Sequence, residues 1–136
     1  MARITLADIE QAQARIAGHV LRTPLMGAEP LSRELGVLVR LKPEILQETG
    51  SFKLRGATNA MLSLDAAARA RGVVTASSGN HGPALACAAT RLGVSSTICL
   101  SEMVPQNTIA NVRANGGAPK VEGRDYAESL KVCMGL

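Results

Sequence analysis

Aromatic side chains are nearly missing from this chain of 136 residues: tryptophan is absent, and Phe52 and Tyr126 are the sole phenylalanine and tyrosine. The core must therefore be assembled from Ala, Val, Leu, Ile and Met, which bury less area per residue than rings do. Cysteine is scarce as well. Cys87, Cys99 and Cys133 are odd in number and form no C-x-x-C pair, which excludes a disulfide framework and a zinc site and leaves buried small hydrophobes in a reducing cytoplasm as the expectation. No metal ligand set is legible. Long apolar runs are also lacking. The opening MARITLADIEQAQARIAG alternates polar and apolar residues at helical spacing, so it is neither a signal peptide nor a membrane span, and a soluble chain is expected.

Charge of one sign is not concentrated anywhere. The 15 basic and 11 acidic residues leave a net charge of +4, scattered along the chain and not interleaved with aromatics, which excludes a nucleic-acid surface and favours only small anionic ligands. Neither G-x-G-x-x-G nor G-x-x-x-x-G-K occurs, so a nucleotide-phosphate loop is excluded too. Repeats and low-complexity tracts are absent.

What is present reads as a globular α/β chain, with 46% hydrophobic and 19% charged residues. Thr5 with Asp8 forms a capping box before the stripe Ile9, Ala12, Ile16, and Gly18 stops that helix. A short helix is expected around Leu31–Leu35, and the alternating Val37–Lys42 predicts a strand that Pro43 ends. Ser51 is the expected N-cap of one helix running to about Arg71, with Phe52, Ala57, Ala60, Met61 and Leu64 on its apolar side. From Gly72 onward strand and helix alternate three times, VVTAS, GPALACAATRLG, STICL, PQNTIANVRANGG, APKVE and DYAESLKV. Such alternation implies right-handed crossovers and a parallel sheet covered by helices.

Two stretches carry chemistry. TGSFKLRG, Thr49 to Gly56, sets Lys53 and Arg55 at a helix start, where the dipole disfavours cations by a few tenths to about 1 kcal/mol. The plainer reading is a solvated pair with Phe52 turned inward. The other reading is an amine kept neutral and nucleophilic, because a helix start and burial both disfavour a charged amine. SSGNHG, Ser77 to Gly82, joins a strand to a helix, the place where open α/β sheets bind ligands. Ser77, Ser78, Asn80 and His81 offer donors there, and Gly79 and Gly82 admit close backbone approach, which suits a carboxylate or phosphate. Any strand-to-helix turn also needs Gly and a capping Ser or Asn, so the stretch alone is a weak signal.

Taken together and in this order, LKPEILQETGSFKLRGA and VVTASSGNHG resemble the pyridoxal-phosphate enzymes of the threonine dehydratase and serine racemase family. The resemblance runs from ITLADI and RTPL to GRDYAES, and RGATNAMLSL and CLSEMVPQN look closest to the hydroxyectoine-utilisation dehydratase branch. It implies the tryptophan-synthase-β-like fold (fold type II), a three-layer parallel sheet with flanking helices. Residues 1–72 would be the N-terminal part of the large cofactor domain, and residues 73–136 a small α/β domain incomplete at its C-terminus.

The resemblance also implies roles. Lys53 would be the Schiff-base lysine and the base that removes the α-proton, Phe52 would pack on the cofactor, and Asn80 would bond the 3-hydroxyl of the pyridoxal ring. Ser77, Ser78, Gly79 and His81 would hold the substrate carboxylate, with Ser78 at the position that works on the opposite face in racemising relatives. The implied reaction is α,β-elimination from serine or threonine to a 2-oxo acid and ammonia, in a cytoplasmic chain whose oligomeric state the sequence leaves open, a homodimer being one alternative. Ile45 stands where the family usually has Asn, and Thr108 where Lys is common. Family members are well over twice as long, so this chain reads as an N-terminal part. The glycine-rich loop that holds the cofactor phosphate lies outside it, and weak cofactor binding is the expectation. The competing expectation is a non-catalytic α/β module that binds anions at SSGNHG or associates with another subunit.

Overall fold

A computed structural model describes residues 3–136. Helix α1 (Leu6–Ile16) opens on the reciprocal cap its sequence implies. The Thr5 hydroxyl accepts from the Asp8 N–H at 3.3 Å, and the Asp8 carboxylate accepts from the Thr5 N–H at 2.8 Å. A small antiparallel pair follows, β1 (Met26–Gly27) against β2 (Arg40–Leu41), with α2 (Glu29–Leu35) between them. The strand expected over Val37–Lys42 thus shrinks to two residues, and Val37 and Leu38 stay 60% and 73% exposed. Alternation makes a strand only as far as a partner supplies hydrogen bonds, and β1 supplies two residues.

A single 3₁₀ turn at Glu44–Leu46 precedes α3 (Lys53–Ser63) and α4 (Ala66–Arg71). The one long helix expected from Ser51 to Arg71 is therefore two. Leu64 is extended (φ −71°, ψ 138°), and the Asp65 carboxylate accepts from the Ala68 N–H at 2.7 Å to cap a new helix. A short acidic side chain that satisfies a free N–H competes with helix continuation and wins here. Ser51 is not the cap either: Phe52 holds that position, and the Ser51 hydroxyl is buried without a partner.

The alternation after Gly72 is as expected: β3 (Val73–Ala76), α5 (His81–Arg91), β4 (Ser96–Leu100), α6 (Gln106–Ala114), β5 (Ala118–Val121) and α7 (Tyr126–Met134). The three strands form one parallel sheet in the order β3-β4-β5, with Val73 opposite Ser96 and Thr97 opposite Ala118. Period-two alternation on β4 sends Ile98 and Leu100 into the core with α5, while Cys99 lies on the other face beside Cys133 of α7. That core joins Leu54 and Met61 of α3 to Ala84 and Ala88 of α5 and Val112 of α6, so it is continuous across Gly72. Cys87 and Cys99 are buried free thiols and Cys133 is half-buried. Among the described residues no helix is long and apolar enough to cross a membrane.

Candidate active site

Two helix starts meet across one cleft. Lys53 is the first residue of α3 and is exposed, with its ammonium 4.9 Å from the centroid of the Phe52 ring. His81 is the first residue of α5 and is half-buried. Both, with Phe52 and Gly56, line a cleft of about 480 Å³ between α3, β3 and α5. Phe52 is 59% exposed rather than turned inward, because its place is the cleft wall and not the core. The His81 imidazole sits below its ordinary value of 6.5, first because burial disfavours the cation and then because the charge of Lys53 does.

The turn before α5 is built by Ser77. Its N–H donates to the Cys99 carbonyl at 3.0 Å, extending the sheet by one residue. Its hydroxyl accepts from the Gly82 N–H at 2.9 Å and the Gly79 N–H at 3.2 Å and donates to the Gly79 carbonyl at 3.0 Å. Only 4% of Ser77 is exposed, and its side chain is engaged in shaping the turn. Ser78 and Asn80 are exposed, and the Asn80 side chain caps nothing although it holds the N-cap position. Ser78, Gly79 and Asn80 occupy the turn next to His81, outside the cleft's lining.

Sequence reasoning missed the far side of α3. Arg55 grips Glu44 with two bonds, Nε to Oε2 at 2.8 Å and Nη2 to Oε1 at 2.7 Å. The same carboxylate accepts from the Thr23 hydroxyl at 2.6 Å and from Gln47 Nε2 at 3.2 Å. Gln47 also holds the Leu21 backbone, accepting its N–H at 3.1 Å and donating to its carbonyl at 2.7 Å. Arg55 lowers the Glu44 carboxyl to about 2, with smaller help from Thr23 and Gln47 against the opposing effect of burial. A basic residue inside a helix's first turn was the available signal; its acidic partner stands eleven residues earlier, beyond any local pattern. Among the described residues no group of three or more His, Cys, Asp or Glu is placed to hold a metal ion.

The parallel α/β sheet with its flanking helices is the fold of the fold type II pyridoxal-phosphate enzymes. The solved structure of maize serine racemase superposes with a TM-score of 0.93 at 34% identity, over 98% of this chain and 40% of that one. Residues 16–136 match the family described as pyridoxal-phosphate dependent enzyme, and the chain belongs to it. A Sinorhizobium fredii protein bearing a threonine dehydratase name is 48% identical over 123 residues, covering 90% of this chain and 37% of its own length. The L-threonine ammonia-lyase of Thermotoga maritima is 40% identical over 131 residues, covering 96% of this chain and 33% of the relative. The chain thus spans about a third of the length of these curated relatives.

Proposed function

We propose that this chain carries the lysine side of a pyridoxal-phosphate site acting on a small hydroxy amino acid such as serine or threonine. The net reaction is loss of the β-hydroxyl and the α-proton, then hydrolysis to a 2-oxo acid and ammonia. The observation that carries this reading is the meeting of Lys53, Phe52 and His81 in one cleft at two helix starts. The residues suit the cofactor: a reachable amine for its aldehyde, an exposed ring beside that amine, and the uncommitted Asn80 side chain for its ring hydroxyl. When bound, the cofactor supplies an electron-withdrawing ring that takes up the negative charge left at Cα.

The remaining steps belong to the chain. Lys53 Nζ, as the neutral amine, accepts the α-proton, and Phe52 restricts the plane in which that proton is presented. The backbone N–H groups of Ser78, Asn80 and His81, with the Ser78 hydroxyl and the half-buried His81 imidazole, receive the substrate carboxylate. Ser77 serves them by holding Gly79 and Gly82 in place. Racemisation is a second reading within the family, supported by the exposed Ser78 side chain as a proton carrier on the opposite face of Cα. The division of the chain at Gly72 into a cofactor part and a small α/β part belongs to the same proposal.

The test is a titration of the chain with pyridoxal phosphate, followed by borohydride reduction and peptide mapping. A saturable visible band with the label on Lys53 in preference to Lys42, Lys120 and Lys131 is expected. Label spread evenly over the four would overturn the reading and favour a non-catalytic module.

A further inference from the structure

Helix α3 lacks the devices that fix a helix start. Phe52 at its N-cap makes no side-chain cap bond, and its first turn holds no acidic residue. Lys53 and Arg55 both oppose the dipole there. The starts of α1, α4 and α7 are capped by Thr5, Asp65 and Asp125, whereas α3 shares its bare start with α5 and α6. Yet this uncapped turn is the one that must aim Lys53. Residues two apart on a helix project about 200° apart, so Arg55 points away from the cleft that Lys53 lines. On that far side it finds Glu44, which brings to the helix start the negative charge its own first turn is missing. Glu44 is in turn held by Thr23 and Gln47, each only 3% exposed, and Lys42 Nζ donates to the Thr23 carbonyl at 2.6 Å.

We infer that Arg55, clamped by Glu44, is a positioning residue: it fixes the first turn of α3 against residues 21–23 and 42–47 and so sets the direction of Lys53 toward His81. The inference rests on the role of Lys53 proposed above and adds the residue that aims it. Arg55 is not among the residues that line the cleft, so it would act through Lys53. A fork of two parallel bonds sets the orientation of a side chain, which a single lysine ammonium does not reproduce.

The experiment compares the full chain with Glu44→Gln, which keeps the shape and loses the charge, and with Arg55→Lys, which keeps the charge and loses the fork. Amide hydrogen exchange is read at Leu21, Arg55 and Ala57, with β4 amides reporting global opening. Exchange at the three sites is expected to quicken roughly tenfold more than in β4, as loss of a charge-assisted bond implies. In the same samples the share of borohydride-fixed label on Lys53 is expected to fall roughly threefold or more. Equal acceleration in β4 and α3 would make the pair merely structural and overturn the inference, as would an unchanged share of label. If wild-type Lys53 takes no preferential label, the proposed function fails, and localised exchange still decides whether Arg55 fixes the turn.

Discussion

Lys53 and His81 line the same cleft, so the ammonium of one disfavours the protonated imidazole of the other. Burial acts in the same direction and is the larger cause. The sign follows: with its folded value below 6.5, His81 takes up a proton more readily in the unfolded chain, so its contribution to stability is present above 6.5 and is lost as the pH falls through the window beneath it. Replacing Lys53 by Met removes the charge and leaves most of the burial. An NMR titration of His81 should therefore show a midpoint that rises toward 6.5 without reaching it. An unmoved midpoint would mean that the two residues do not share the cleft. Both positions were legible from their motifs, but their mutual electrostatics were not, because nothing in a sequence states how closely Lys53 and His81 approach.

At the level of elements, α5 approaches β4 closely because residue 82 has no side chain. A Cβ built on Gly82 would stand 2.9 Å from Ile98 Cγ2 and 3.3 Å from Ser77 Cβ. Ile98 is fully buried and β-branched, so it has no room to yield. Gly82→Ala is expected to destabilise the fold by about 1 to 3 kcal/mol, seen as a lower urea midpoint, and to disturb the Ser77 bonds that shape the turn. Gly79, with nothing within 4 Å of the same construction, is the control and should tolerate Ala far better. Equal midpoints for the two variants would show that the approach does not depend on Gly82. Here the sequence was a good guide to α1, α5, α6 and α7, whose stripes and stops are local. It misjudged the segment from Ser51 to Arg71 because the apolar spacing continues through Leu64 while the Asp65 cap interrupts the backbone.

For the molecule as a whole, the Glu44 carboxylate ties the segment around Thr23 and the turn around Gln47 to α3. Its carboxyl is lowered from 4.5 to about 2, so the unfolded chain binds the proton first as acid is added. Stability from this group is complete above 4.5 and disappears as the pH falls toward 2. Since the pair is partly exposed, the contribution is roughly 1 to 2 kcal/mol. Urea unfolding should therefore separate wild type from Glu44→Gln near neutrality, with the gap closing in strong acid. A gap that persists unchanged in acid would show that the charge is not its source.

The sequence by itself determined what depends on near neighbours: the capping box of Thr5 and Asp8, the strand and helix alternation after Gly72, and the two motifs that hold Lys53 and Ser77–Gly82. Hydrophobic period and capping chemistry operate over a few residues, so they can be read in a line. The tertiary structure decided what depends on distance in space. It turned the Ser77 hydroxyl inward to Gly79 and Gly82, left Phe52 on the wall of a cleft, and closed Arg55 onto Glu44 and Glu44 onto Thr23, residues 11 and 21 apart in the chain. No local pattern encodes such partners, because their bonds exist only after the packing of α3 and α5 has brought the segments together.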